Sequence, residues 1–252
     1  MSVVSYTCDA GVALAVIDRA SARNAINAEV RNGVRAAFEN FAADAGARVL
    51  VLASEGPVFC SGGDLAEMAA LGTAMIPRDY VPSIRDVPGC DKPVVAAVQG
   101  AALGGGFWLA QECDLVIAAD DARFAISEAK WGRGAPWAAP LLPLLGPRAA
   151  LELMATAEPV DAGRAYELGL VNHIVPAGEL RERALQFAAH IAALAPLSVA
   201  ASVRMTREYR MQSAGALADA AWEMWRPVYE SADAQEGPRA FAEKRPPQWQ
   251  GR

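Results

Sequence analysis

Histidine is scarce in this chain: its 252 residues include only His173 and His190. Neither stands near a glycine-rich loop in the sequence, so both read as packed or surface residues. That disfavours a Ser-His-Asp triad and a histidine-based metal site. Acid–base chemistry, if the chain performs any, then falls to a carboxylate. Cysteine is sparse too. Cys8, Cys60, Cys90 and Cys113 are widely separated and form no CxxC pair. Neither a zinc site nor a disulfide framework is indicated, and no metal is expected. Runs of like charge are absent and the net charge is −6, which argues against nucleic acid as a partner. No apolar run is long enough to span a bilayer, and residues 1–6 lack the charged start and long apolar stretch of a signal peptide. The expectation is a cytoplasmic protein with no membrane partner.

The chain is 53% hydrophobic and 21% charged, which suits a substantial core in one large domain or two small ones. Residues 11–18 read as a strand. A helix is expected from Asn27 to Ala42, with Val30, Val34, Phe38 and Phe41 on one face. Residues 48–53, 93–98 and 114–119 are short continuous apolar runs, as in strands buried on both faces. Residues 171–175 read as a last strand. Between Gly72 and Asp91, Pro77, Pro82 and Pro88 interrupt regular structure, and this segment reads as irregular or mobile near a ligand. From Glu179 the pattern is helical, with Leu180, Ala184, Phe187, Ile191 and Leu194 on one face. Further helices are expected near Pro196 and Ala216. The last of these places Leu217, Ala221, Met224 and Val228 on one side, with Pro227 bending or ending it. Strands alternating with helices, then helices alone, imply an α/β core over residues 1–195 and a helical region over 196–252.

Two glycine-rich loops carry the chemistry. One reads Phe59-Cys60-Ser61-Gly62-Gly63-Asp64-Leu65, the other Ala102-Leu103-Gly104-Gly105-Gly106-Phe107-Trp108. Each follows a strand-like run and opens a short helix, which Asp64 can cap in the first case. Glycine lets backbone N–H groups approach a ligand, and a helix start leaves such donors unpaired. Two converging loops would make a backbone socket for an oxygen that becomes negative during reaction.

With those loops in view, the chain resembles the crotonase, or enoyl-CoA hydratase/isomerase, superfamily. The likeness extends to residues 19–25, Cys113-Asp114-Leu115, Phe124-Ala125-Ile126-Ser127-Glu128, residues 165–171 and residues 241–247. It implies a spiral of ββα units with a C-terminal helical trimerisation region, a trimer or hexamer, and a coenzyme A thioester as substrate. Coenzyme A is then part of the substrate and no separate cofactor is expected. By motif position, Gly63 and Gly105 donate to the thioester oxygen. Asp64, Leu65 and Ala66 line the CoA channel, Arg23 lies near the CoA phosphates, and Lys244 is a further CoA contact, possibly across a subunit boundary.

The resemblance also exposes departures. Family hydratases place one glutamate on the helix after the second glycine loop and another on a later turn. Here the first position is Trp108 and the second is Glu128. The following stretch, residues 130–140, is bulky and rigid where hydratases are glycine-rich, which implies a reshaped, drier acyl pocket. A single carboxylate can take a proton from one carbon and return it to another, so double-bond isomerisation on Glu128, with weak hydration, is the expected reaction. Trp108 either fills space or stacks on substrate. Asp114, Glu67 and Glu112 read as fold contacts, and Lys130 and Arg133 as exposed loop charges unless an acidic acyl group recruits them. Ser61 has no base to make it a nucleophile. The alternatives are thioester hydrolysis, decarboxylation or carbon–carbon cleavage on the same fold, or a non-catalytic acyl-CoA binder. A dinucleotide binder fits poorly, because glycines at 100 and 104–106 do not match G-x-G-x-x-G.

Overall fold

The computed structural model describes residues 2–71 and 76–251. In chain order its elements are β1 (Val4–Asp9), β2 (Val12–Ile17), α1 (Ala28–Ala43), β3 (Val49–Ser54), α2 (Leu65–Leu71) and β4 (Val94–Val98). Next come β5 (Ala101–Leu103), α3 (Gly105–Glu112), β6 (Leu115–Ala119), β7 (Arg123–Ala125) and α4 (Leu142–Thr156). The chain then runs through β8 (Val160–Asp161), α5 (Ala162–Glu167), β9 (His173–Val175), α6 (Leu180–Ala192), α7 (Pro196–Glu230) and α8 (Asp233–Ala242). The main sheet has the order β1-β2-β3-β4-β6-β9, with β1 antiparallel to β2 and the rest parallel. A small second sheet, β5-β7-β8, stands beside it.

The continuous apolar runs are explained by burial on both sheet faces. Successive strand residues point to opposite sides. Leu50, Leu52, Val94, Ala96 and Val98 join Phe38 and Phe41 of α1 in one core. Val49, Val51, Val95, Ala97 and Ile117 join Leu180, Ala184 and Ala188 of α6 in another. The sheet is thus sandwiched between helices. Asn27 caps α1 by accepting from the Val30 amide at 3.0 Å.

The C-terminal helices start where expected and differ at one end. Two helical segments, one from Pro196 and one from just beyond Gly215 (φ 44), meet at a kink and together make α7; the second is not ended by Pro227 but runs on to Glu230. The buried residues of α7 are Val203, Ala214, Ala221, Trp222 and Tyr229, while Met224 is exposed. Arg207 ties α7 to the sheet through a two-pronged bond to Asp114, at 2.7 Å on each oxygen. Residues 72–75 of the segment expected to be irregular lie outside the described residues. Tyr80, Val81 and Ile84 of the same segment are buried in the first core. Among the described residues no single helix is long and apolar enough to cross a membrane.

Candidate active site

The two glycine loops leave the ends of β3 and β4, neighbouring parallel strands, and so emerge on one edge of the sheet. Short bridges then clamp them. The Cys60 amide donates to the Ala101 carbonyl at 3.0 Å, and the Leu103 amide donates back to the Cys60 carbonyl at 3.0 Å. Ile26 bridges to Gly63 in the same manner: its amide donates to the Gly62 carbonyl at 2.8 Å and its carbonyl accepts from Asp64 at 3.0 Å. In a parallel bridge the bonds go to the residues flanking Gly63, so its own N–H turns away from Ile26. Gly105 is the first residue of α3, whose N–H has no partner within the helix. A Cβ placed on Gly105 would stand 3.4 Å from the Gly63 nitrogen, so the two amides are immediate neighbours.

Glycine is required at two flanking positions. Gly62 has φ 104, and a Cβ there would come within 2.9 Å of the Leu103 carbonyl. A Cβ on Gly106 would fall on the Cys60 carbonyl oxygen. The loops can meet only because neither carries a side chain there.

Gly63 and Gly105 open onto a cavity of about 710 Å³, which Glu128, Trp108, Tyr80 and Tyr229 also line. Leu65 and Ala66 line it from the start of α2, and exposed Arg23 lines it as well. Asp64 does so too while capping α2. One carboxylate oxygen accepts from Ala66 and Glu67 at 3.0 and 3.1 Å, and the other pairs with Arg19 at 2.7 Å. Burial alone would raise its pKa, but these amides and Arg19 outweigh that and hold it below the usual carboxylate range. Lys244 is exposed beyond the end of α8 and lies outside its own chain's cavity. The residue of that region in the wall is Phe241, packed edge-on against Trp131 at 5.1 Å.

Glu128 opens the short turn over Glu128–Trp131. Its Oε1 accepts from the Trp137 indole at 2.8 Å. Its Oε2 is closed to solvent and has no hydrogen-bond partner among the described residues. A Cβ on Gly104 would lie 3.3 Å from Oε1, so the carboxylate stands against the second glycine loop. Burial pushes its pKa up to about 7, with the Trp137 bond opposing the rise. Trp137 in turn stacks parallel to Trp108 and offset from it, ring centroids 5.7 Å apart and planes 2° from parallel. The Trp108 indole donates to Glu112 at 3.1 Å, and Glu112 is ion-paired with Arg85. Burial would raise Glu112, yet Arg85 and Arg210 hold it ionised, below its ordinary value. The residue in place of a second glutamate therefore props the indole that holds the first.

This arrangement can accept a developing negative oxygen at two main-chain amides and move a proton at one buried carboxylate close by. The family model described as Enoyl-CoA hydratase/isomerase matches residues 7–252. The chain belongs to the enoyl-CoA hydratase/isomerase family, the crotonase superfamily. Family relatives include Enoyl-CoA hydratase EchA19 of Mycobacterium tuberculosis, 35% identical over 95% of this chain and 93% of that one. Carnitinyl-CoA dehydratase of Salmonella typhi is 38% identical over 94% of each chain. The crystal structure of carnitinyl-CoA hydratase from Mycobacterium avium superposes with a TM-score of 0.87 at 36% identity, covering 100% of each chain. The α/β fold with its C-terminal helical region is that of this family.

Several site residues escape sequence reasoning. Tyr229 comes from a distant segment with no motif to flag it; Tyr80, Trp137 and Phe241 lie in stretches that the sequence marked, residues 72–91, 130–140 and 241–247, without singling out these side chains. Arg133, expected on an exposed loop, is buried, its guanidinium 5.0 Å above the Tyr229 ring. Lys130 does face solvent, pairing with Glu158 at 3.2 Å. Glu67 and Asp114 are fold contacts, bonded to Arg31 and Arg207 respectively.

Proposed function

We propose that this family member binds an enoyl-CoA thioester, stabilises its enolate at the Gly63 and Gly105 amides, and shifts the double bond with Glu128 as sole proton carrier. The observation that carries the reading is the lone buried carboxylate oxygen, Oε2 of Glu128, in the cavity that those two glycines line. In a 3-enoyl thioester, Glu128 takes the α-proton. The electron pair moves into a dienolate whose oxygen rests on the two amides. Glu128 then returns a proton to the γ-carbon, giving the conjugated 2-enoyl thioester, or to the α-carbon in the reverse step, where exchange of the carboxyl proton with solvent in between leaves a label. No proton is gained or lost overall. A pKa near 7 suits a group that must both take and give a proton at neutral pH. Arg23, Leu65 and Ala66 receive the CoA moiety, which is part of the substrate, and no further cofactor enters these steps.

The relatives' names favour a second reading, reversible addition or elimination of water across the same double bond. That reaction asks one carboxylate to activate water and protonate carbon, work that Glu112 cannot share while bound to Arg85 and Trp108. The proposal includes a homotrimer or hexamer, supported by exposed Leu197, Met205, Tyr209 and Met224 along α7. It also includes a cytoplasmic setting, supported by four free thiols. Incubation with a 3-enoyl-CoA and a 2-enoyl-CoA in deuterated water tests the reaction. Isomerisation and α-deuteration that Glu128→Gln abolishes support the reading. Fast hydration without isomerisation overturns it in favour of the second.

A further inference from the structure

Arg133 has no part in the proton transfer, yet it is built into the cavity wall. It is 7% exposed, and its neighbours hold it in place. The Tyr229 ring beneath the guanidinium is itself 1% exposed and is pinned by its hydroxyl, which donates to the Gly134 carbonyl at 2.7 Å. Tyr229 and Trp225 pack directly on the Gly134 backbone, leaving no room for a side chain: a Cβ there would meet Tyr229 at 2.8 Å and Trp225 at 2.9 Å. Tyr80 connects this wall to the amide pair. Its hydroxyl donates to the Ile26 carbonyl at 3.0 Å and would stand 3.1 Å from a Cβ on Gly63. Burial pulls the Arg133 pKa down and the Tyr229 and Tyr80 phenols hold it up; a guanidinium stays charged at neutral pH regardless.

We infer that Arg133 forms an anion subsite in the inner wall of the cavity, so that the chain prefers acyl-CoA thioesters whose acyl group carries a carboxylate. This rests on reading the cavity as an acyl-CoA site. With five N–H groups in a fixed fork, an arginine can hold the wall and still offer an edge to a carboxylate. Its charge acts at low dielectric, where attraction for an anion and repulsion of a cation both exceed their values in water. The phosphates of CoA are a poor alternative occupant, because Arg133 is buried and the function proposed above gives them exposed Arg23. A quaternary ammonium, such as a carnitinyl group bears, is disfavoured at the same place. The subsite therefore separates this chain's substrate class from that named for its carnitinyl-CoA relatives.

The test is a calorimetric binding series on the full-length protein. Malonyl-, succinyl- and glutaryl-CoA are compared with propionyl-, butyryl- and valeryl-CoA, matched for carbon number, and with 4-trimethylammoniobutyryl-CoA. At one chain length or more the carboxylate ligand should bind at least about tenfold more tightly than its neutral match, with the trimethylammonium ligand weakest. Arg133→Met should erase that ratio, and Arg133→Lys should retain part of it. If every neutral ligand binds as well as its carboxylate partner in the unaltered protein, the inference is overturned while the acyl-CoA reading stands. An unchanged ratio in a folded Arg133→Met protein overturns it equally. If no acyl-CoA binds at all, the function proposed above falls with it.

Discussion

The Gly63 and Gly105 amides reach the cavity through four main-chain hydrogen bonds that clamp their loops, whereas the Glu128 carboxylate is oriented by a single indole. The amide half is redundant: two bonds tie Cys60 to β5 and two tie Ile26 to the residues on either side of Gly63. The carboxylate half is serial. Arg85 holds Glu112, Glu112 holds Trp108, Trp108 stacks on Trp137, and Trp137 holds Glu128. Damage to a clamped backbone should therefore be all-or-none, while damage to the chain of side chains should be graded and visible in pH dependence.

The most damaging change should be Glu128→Gln, which keeps an acceptor for Trp137 but removes the proton carrier. Deuterium incorporation at the α-carbon should fall by about 10²–10⁴-fold. Next comes Gly105→Pro. The first position of a helix tolerates proline, so α3 should survive while one oxyanion donor is lost. A fall of about 10²–10³ in kcat with native circular dichroism is expected. A smaller loss would mean that one amide suffices.

Trp137→Phe probes the serial half. The unaltered protein needs Glu128 ionised to take a proton, so kcat should rise with pH through about 7. The indole bond favours the ionised carboxylate, and its removal should move that limb to higher pH, by about one unit. Activity would then be several-fold lower at pH 7 and largely restored at pH 9. A limb that stays put would show that Trp137 does not govern the carboxylate. Asp64→Ala should have the smallest effect, about 1 kcal/mol of stability by thermal or urea unfolding, from loss of the α2 cap. Because the Asp64 pKa is depressed in the folded state, its contribution is present above the ordinary carboxylate pKa and fades as pH falls through the lowered value. The gap between the two proteins should close in acid.

The same contrast governs what could be read from the sequence. The amide half was legible, because glycine spacing after apolar runs reports a backbone requirement directly. Glu128 was legible only through family resemblance. The props behind it were not, since stacking of Trp108 on Trp137 depends on how a helix and a turn meet. In the fold, short continuous apolar runs gave β3, β4 and β6, and periodicity gave α1 with its buried face. The strands β5, β7 and β8 are two or three residues long, too short for any period to show. Strand β1 shows little burial and α4 is broken at Gly146, so neither carried a clear pattern. For the part of α7 beyond Gly215 the expected apolar side is buried only in part: Ala221 is inside, Leu217 and Met224 are exposed, and Trp222 and Tyr229 supply the rest of the buried face.

The cavity draws its walls from opposite ends of the polypeptide: Arg19 and Arg23 from the beginning, Tyr229 and Phe241 from the close. A molecule whose α8 has frayed would keep both amides and Glu128 but lose Phe241 from the wall. Competence is then more fragile than the fold that carries it. Loss of turnover should precede loss of helical signal as denaturant is raised.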